Sequence, residues 1–157
     1  MKQDFKNIKS NEFDELEQFI LHKLYLMGLS VEENLKSYNF HKLYKELLNF
    51  CTLELSSFYF DIRKDVLYCD SLNSKKRKDC VIVLNIILES LLKWFAPILV
   101  FTTEEIFDLI SKSNDSIHES TFVKIPENWK NEKINSKWLN LYKIKQEANV
   151  AIEEKKI

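Results

Sequence analysis

The sequence predicts an all-α domain, an antiparallel bundle of about five helices with one irregular arm at 112–135. Three observations lead there. The 157 residues include a single glycine, Gly28, and two prolines, Pro97 and Pro126, too few for turn-rich sandwiches or propellers. Apolar residues recur every three or four positions along most of the chain, the period of a helix with one buried face. Hydrophobic residues make up 45% of the chain, so a domain of this length buries roughly two thirds of its unfolded surface.

The first helix is marked by Leu16, Phe19, Ile20, Leu24, Met27, Val31 and Leu35. Gly28 lies inside it and costs about 1 kcal/mol relative to alanine, which predicts either a break or a close helix contact. Asn39 reads as the N-cap of a second helix, whose stripe is Phe40, Leu43/Tyr44, Leu47/Leu48, Cys51, Leu55, Phe58/Tyr59 and Ile62. The segment DSLNS at 70–74 is a turn cluster. A third, largely buried helix follows, and Pro97 kinks or ends it; a buried strand at 81–84 is the alternative there, because β-branched residues cluster. Thr102 and Glu105 form a capping box for a short helix through Ile110. After the polar arm, which holds a short extended stretch around 121–125, Trp138, Leu141/Tyr142, Lys145, Ala148 and Ile152 place a last amphipathic helix. The chain reads as one domain over 1–157, with 1–11 a flexible tail.

The segment 80–101 is apolar enough to need a membrane test. Asn85, Glu89 and Lys93 interrupt it, and its longest unbroken apolar run, 94–101, is far short of the roughly 18 residues a span needs. A net charge of −1 gives no global pull toward nucleic acid, so any such binding must rest on a local cluster. Three cysteines (Cys51, Cys69, Cys80) without a C-x-x-C pair read as reduced thiols, and His22, His41 and His118 have no metal-ligand spacing. One glycine excludes the Gly-rich phosphate loops, and neither G-x-S-x-G nor H-E-x-x-H occurs, so no catalytic and no metal residues are assigned. Glu12, Asp14, Glu15 and Glu17 fit a helix first turn better than a metal or acid/base site. Trp94, Trp129 and Trp138 fit core packing better than base stacking.

Lys75, Lys76, Arg77 and Lys78 are the sharpest feature. Four consecutive cations cover every side of one helical turn, so several must face water. They are either a solvated helix start or a phosphate-binding patch. Cations at a helix N-terminus oppose the macrodipole, and that cost points to an anionic partner. Arg63 and Lys64, at the end of the preceding helix, extend the patch across the 65–74 connection.

The residues NFC at 49–51, ELSSFYFDIRKD at 54–65 and LYCD at 67–70 resemble the signature of the anticodon-binding domain of bacterial-type isoleucyl-tRNA synthetases. The resemblance continues in order through APIL at 96–99, FTTEEI at 101–106, SIH at 116–118 and the 148–155 helix. The FYFDIRKD stretch separates this family from the related valyl and leucyl enzymes. Val66 stands where a basic residue is usual, Val100 where a proline is usual, and Phe107 where a tryptophan is usual. The resemblance implies the all-α fold of class I synthetase anticodon-binding domains, a cytoplasmic setting, and no membrane contact. It also implies tRNA(Ile) and the catalytic domain of the parent synthetase as partners. Arg63, Lys64, Lys75, Lys76, Arg77 and Lys78 are the candidate RNA-binding residues.

The family's H-I-G-H and K-M-S-K-S signatures, its editing domain and its C-terminal zinc cysteines are absent from these residues. The chain therefore reads as a fragment truncated at both ends, binding no cofactor itself; ATP and Mg2+ belong to the parent enzyme. A helical protein-interaction domain without an RNA role, or an inactive gene fragment, is the alternative function. A missing opening helix would leave an apolar groove exposed and favour self-association. The chain alone should neither form isoleucyl-adenylate nor charge tRNA. Isoleucine-dependent pyrophosphate exchange should stay at background, and exchange above it would overturn this reading.

Overall fold

A computed structural model describes residues 5–111 and 115–155. Residues 1–4 of the expected tail and 112–114 of the arm lie outside the described residues. The helices are α1 (Glu15–Lys36), α2 (Phe40–Asn49), α3 (Asp61–Cys69), α4 (Lys75–Phe95), α5 (Val100–Ile110) and α6 (Glu132–Glu154). A π-helical segment, Phe50–Phe60, joins α2 to α3, so 40–69 is one continuous rod and the bundle has five members. The architecture is all-α, with no strand among the described residues; the alternative strand at 81–84 is helical.

Side-chain contacts define the directions. Late on α1, Ser30 and Asn34 donate to Glu46, early on the rod; Asn34 Nδ2 lies 3.2 Å from Glu46 Oε2. Early on α1, Glu17 meets Arg63, late on the rod. These two elements are therefore antiparallel. The same reasoning makes α1 antiparallel to α6, since Glu15 pairs with Lys137 while the later His22 meets Asn131. Packed between the rod and α5, α4 buries Cys80, Val83, Ile86, Ile87, Leu92 and Trp94. No helix among the described residues is long and apolar enough to cross a membrane.

Asn39 caps α2 as expected, its side chain accepting the Lys42 N–H. α1 runs unbroken through Gly28. A Cβ there would lie 2.8 Å from Ile125 Cγ1, so this glycine allows the arm to lie close on the helix. α1 ends without a glycine: Tyr38 takes φ 52°, and the N–H groups of Tyr38 and Asn39 close back onto Leu35 and Asn34 carbonyls, the Schellman arrangement.

Four boundaries differ from the expectation. The buried positions of the rod run Leu43, Leu47, Phe50, Leu55, Phe58/Tyr59, Arg63 and Val66, with a five-residue step after Phe50. A π turn carries more residues than an α turn, so the stripe advances by one. Ile62, expected inside, is 37% exposed, and Arg63 takes its place. α5 begins at Val100 with Leu99 at its cap and no side-chain cap bond. The turn after Phe95 leads straight into the helix, leaving Thr102 inside it, while Glu104 accepts from Ser116 Oγ and Ile117 N–H instead. α6 starts at Glu132, capped by the Asn131 side chain, so the arm is shorter than 112–135. Finally, the expected tail is anchored at Phe5 and Ser10, both buried. Phe5 is buried against Trp129, whose Nε1 donates to the Ile8 carbonyl at 2.9 Å.

His22 is fully buried on α1. Its Nδ1 accepts the Asn131 N–H at 3.0 Å, fixing the residue that starts α6. Burial lowers its pKa below the ordinary 6.5; Glu132 opposes the shift, and Lys23 and Lys130 reinforce it. The unfolded chain takes up the proton more readily than the folded one. Stability is therefore full above pH 6.5 and falls as pH drops below it toward the lowered folded pKa. Urea midpoints measured from pH 7.5 down to 5 should show this loss, and His22→Gln, which keeps an acceptor without titrating, should flatten it. An identical pH dependence in the variant would exclude His22 as the source.

Candidate nucleic-acid interface

The basic cluster sits at the start of α4, where the rod reverses direction. Ser74 organises the reversal. Its N–H donates to the Ser71 carbonyl at 2.9 Å, its Oγ donates to Asp70 at 3.1 Å, and its Oγ accepts the Arg77 N–H. A serine with non-helical backbone at the N-cap satisfies one of the helix's orphan donors, so Lys75, Lys76, Arg77 and Lys78 occupy the first turn. Between 61 and 79 there are six cations and four carboxylates (Asp61, Asp65, Asp70, Asp79), a local excess in a chain that is slightly anionic overall.

The six candidate cations fall into three environments. Arg63 is internal: its side chain is 6% exposed and its guanidinium forks onto Glu17, with Nε and Nη2 at 2.6 and 2.5 Å from the two carboxylate oxygens. It lies in the first turn of α3, six residues before the rod ends, and it is not available to a phosphate. Burial alone would lower its pKa, but the Glu17 hydrogen bonds and charge raise it. Lys75, Lys64 and Arg77 are engaged at the surface. Lys75 Nζ bonds Asp79 at 2.5 Å and the Glu12 carbonyl at 3.1 Å, and Asp79 raises its pKa. Lys64 bonds Asp61 at 2.9 Å, which raises its pKa likewise. Arg77, half-buried, donates Nε to the Leu67 carbonyl at 3.1 Å, satisfying a backbone acceptor near the end of α3. Lys76 and Lys78 are exposed, and no ion pair among the described residues involves either.

The hairpin therefore presents two open ammonium groups at a helix N-terminus, with two exposed, paired lysines close by in sequence. Exposed pairs of that kind are worth about 0–1 kcal/mol and exchange readily with another anion. Lys145 of α6 is a cation that sequence reading missed for this face. It reaches Asp61 at 3.5 Å and lies over the Phe58 ring, beside Lys64. Nothing in the local sequence signals it, because Lys145 and Asp61 are 84 residues apart.

The other candidates resolve into packing. Glu17 turns inward to Arg63 while Glu15 pairs with Lys137, and no group of three or more metal-ligating side chains occurs among the described residues. Trp94 and Trp129 are fully buried, and Trp138 stacks on Phe19. Of the thiols, Cys69 is exposed, Cys51 half-buried and Cys80 buried.

Sequence comparison decides what kind of domain this is. The family described as the anticodon-binding domain of tRNA ligase matches residues 17–157. The chain belongs to this family. Its curated relatives include the isoleucine–tRNA ligase of Pelagibacter ubique (strain HTCC1062), 56% identical over 155 residues. That match covers 99% of this chain and 17% of the relative. The isoleucine–tRNA ligases of Agrobacterium fabrum and Bartonella quintana are 37% and 38% identical, over 90% and 88% of this chain and 15% and 14% of their own lengths. This anticodon-binding domain thus spans about a sixth of the length of the relatives it matches, and the all-α fold agrees with the family assignment.

Proposed function

We propose that the chain is the tRNA anticodon-stem-binding module of an isoleucine–tRNA ligase. It holds tRNA(Ile) while a catalytic domain outside these residues joins isoleucine to it with ATP and Mg2+. The observation that carries the reading is the coverage of the match: 99% of the chain aligns at 56% identity with an enzyme of that name. The open Lys76 and Lys78 at the start of α4 support it, and Lys75 and Lys64 border them. Such contacts position a phosphate backbone and read no bases, so these lysines contribute affinity for any tRNA. A cytoplasmic setting belongs to the same proposal.

Self-association is a further part of it. A groove of about 640 Å3 between α1 and the arm, lined by Leu29, Leu35, Trp94 and Phe122 among others, is the apolar surface through which copies would meet.

The test is tRNA binding across a salt series. The Lys76→Ala/Lys78→Ala variant should bind cognate and non-cognate tRNA more weakly by a similar factor. The slope of log K against log salt should fall by about 0.7–0.9 for each lost phosphate contact. Arg63→Met with Glu17→Leu, if folded, should leave that slope unchanged. An unchanged affinity and slope in the lysine variant would reduce the patch to a solvated helix end.

A further inference from the structure

α5 carries a second, oppositely charged face. Phe101 is 90% exposed and Leu109 81% exposed, with Tyr68 the most open large apolar side chains of the described residues. They lie eight residues apart, about 12 Å along the axis. At about 100° per residue, Phe101, Glu105, Asp108 and Leu109 fall within an arc of about 100° on one side of the helix. The opposite side buries Thr103 and Phe107 and packs on α4 and on the Ile117–Glu119 turn. That inner face is held firmly. Glu104 accepts from Ser116 and Ile117, and His118 Nε2 lies 3.2 Å from the Val100 carbonyl. No cation occurs anywhere in α5.

We infer that this face of α5 docks a cationic amphipathic helix of another polypeptide, with Phe101 and Leu109 as apolar anchors and Glu105 and Asp108 as counter-charges. The charge pattern selects the occupant. RNA and anionic lipid are repelled by the two carboxylates. A second copy in twofold pairing would set Glu105 and Asp108 against their own counterparts, and like charges in contact disfavour a partner strongly. A helix that alternates leucine-type anchors with lysine or arginine meets both requirements. Apolar anchors spaced along one face are the usual footholds for an amphipathic helix, and aromatic side chains are prominent among them.

The experiment uses the full 157-residue chain and a synthetic leucine/lysine amphipathic peptide of about five turns, with a leucine/glutamate peptide of the same pattern as control. Fluorescence anisotropy should show binding of the lysine peptide and none of the glutamate peptide. Phe101→Ser and the pair Glu105→Lys/Asp108→Lys should each weaken binding about tenfold or more. Glu153→Lys with Glu154→Lys on α6 should leave it unchanged. These are surface positions, so helicity by circular dichroism should be preserved in every variant. Three outcomes overturn the inference: equal binding by the α5 variants, equal binding of the glutamate peptide, or dimerisation of the free chain that Phe101→Ser abolishes.

Discussion

Glu17 and Arg63 meet in the interior although 46 residues separate them, and the rest of the bundle is arranged around that contact. The guanidinium forks onto both carboxylate oxygens, and Tyr59 adds its hydroxyl at 3.3 Å from Glu17 Oε1 and 3.6 Å from Cys80 Sγ. One network therefore joins the first turn of α1 to α3 and to α4. Glu17 gains a second advantage from the positive end of α1. Burial pushes the Tyr59 hydroxyl up, and the Glu17 charge pushes it further, so it remains a donor at every physiological pH. Removing one partner of such a pair leaves the other desolvated, at a cost of about 3–5 kcal/mol.

That contact also decides which cations are free. With Arg63 directed inward, α3 is tied to α1 through Glu17, and the turn that follows places α4 where Arg77 reaches the Leu67 carbonyl. Lys76 and Lys78 are then left exposed in the first turn of α4. A sequence with six clustered cations thus yields two open ones, because carboxylates and backbone acceptors occupy the others. The acidic, apolar face of α5 belongs to a different part of the bundle, resting on the smaller core of Leu92, Ala96, Phe107 and Ile117. The molecule keeps the basic first turn of α4 and the acidic, apolar face of α5 on different parts of the bundle.

The helical class, the Asn39 cap, the 70–74 turn and the end of α4 near Pro97 were legible because each rests on local chemistry. The register of the rod beyond Phe50 was not. A 3.6-residue period carried through a π segment drifts by one position, which placed Ile62 inside and Arg63 outside. A five-residue gap between Phe50 and Leu55 was the available signal. The packing of Phe5 against Trp129, the role of His22 in starting α6, and the approach of Lys145 to Asp61 join residues more than 80 positions apart, and no local pattern encodes them. At the candidate site, the cluster was legible as a cluster, and the Lys64–Asp61 and Lys75–Asp79 pairs lie at local helical spacing; the inward turn of Arg63 onto Glu17 and the reach of Lys75 to the Glu12 carbonyl depended on the fold.

The division of the basic cluster depends on Arg63 being a structural partner of Glu17. A double-mutant cycle with Glu17→Leu, Arg63→Met and both together, followed by urea unfolding, measures this directly. Each single variant should lose about 3–5 kcal/mol, and the double variant much less than their sum, because two apolar side chains replace the pair without a stranded charge. Single losses that simply add, or a negligible effect of Arg63→Met alone, would contradict the buried pair and return Arg63 to the surface as a candidate RNA ligand.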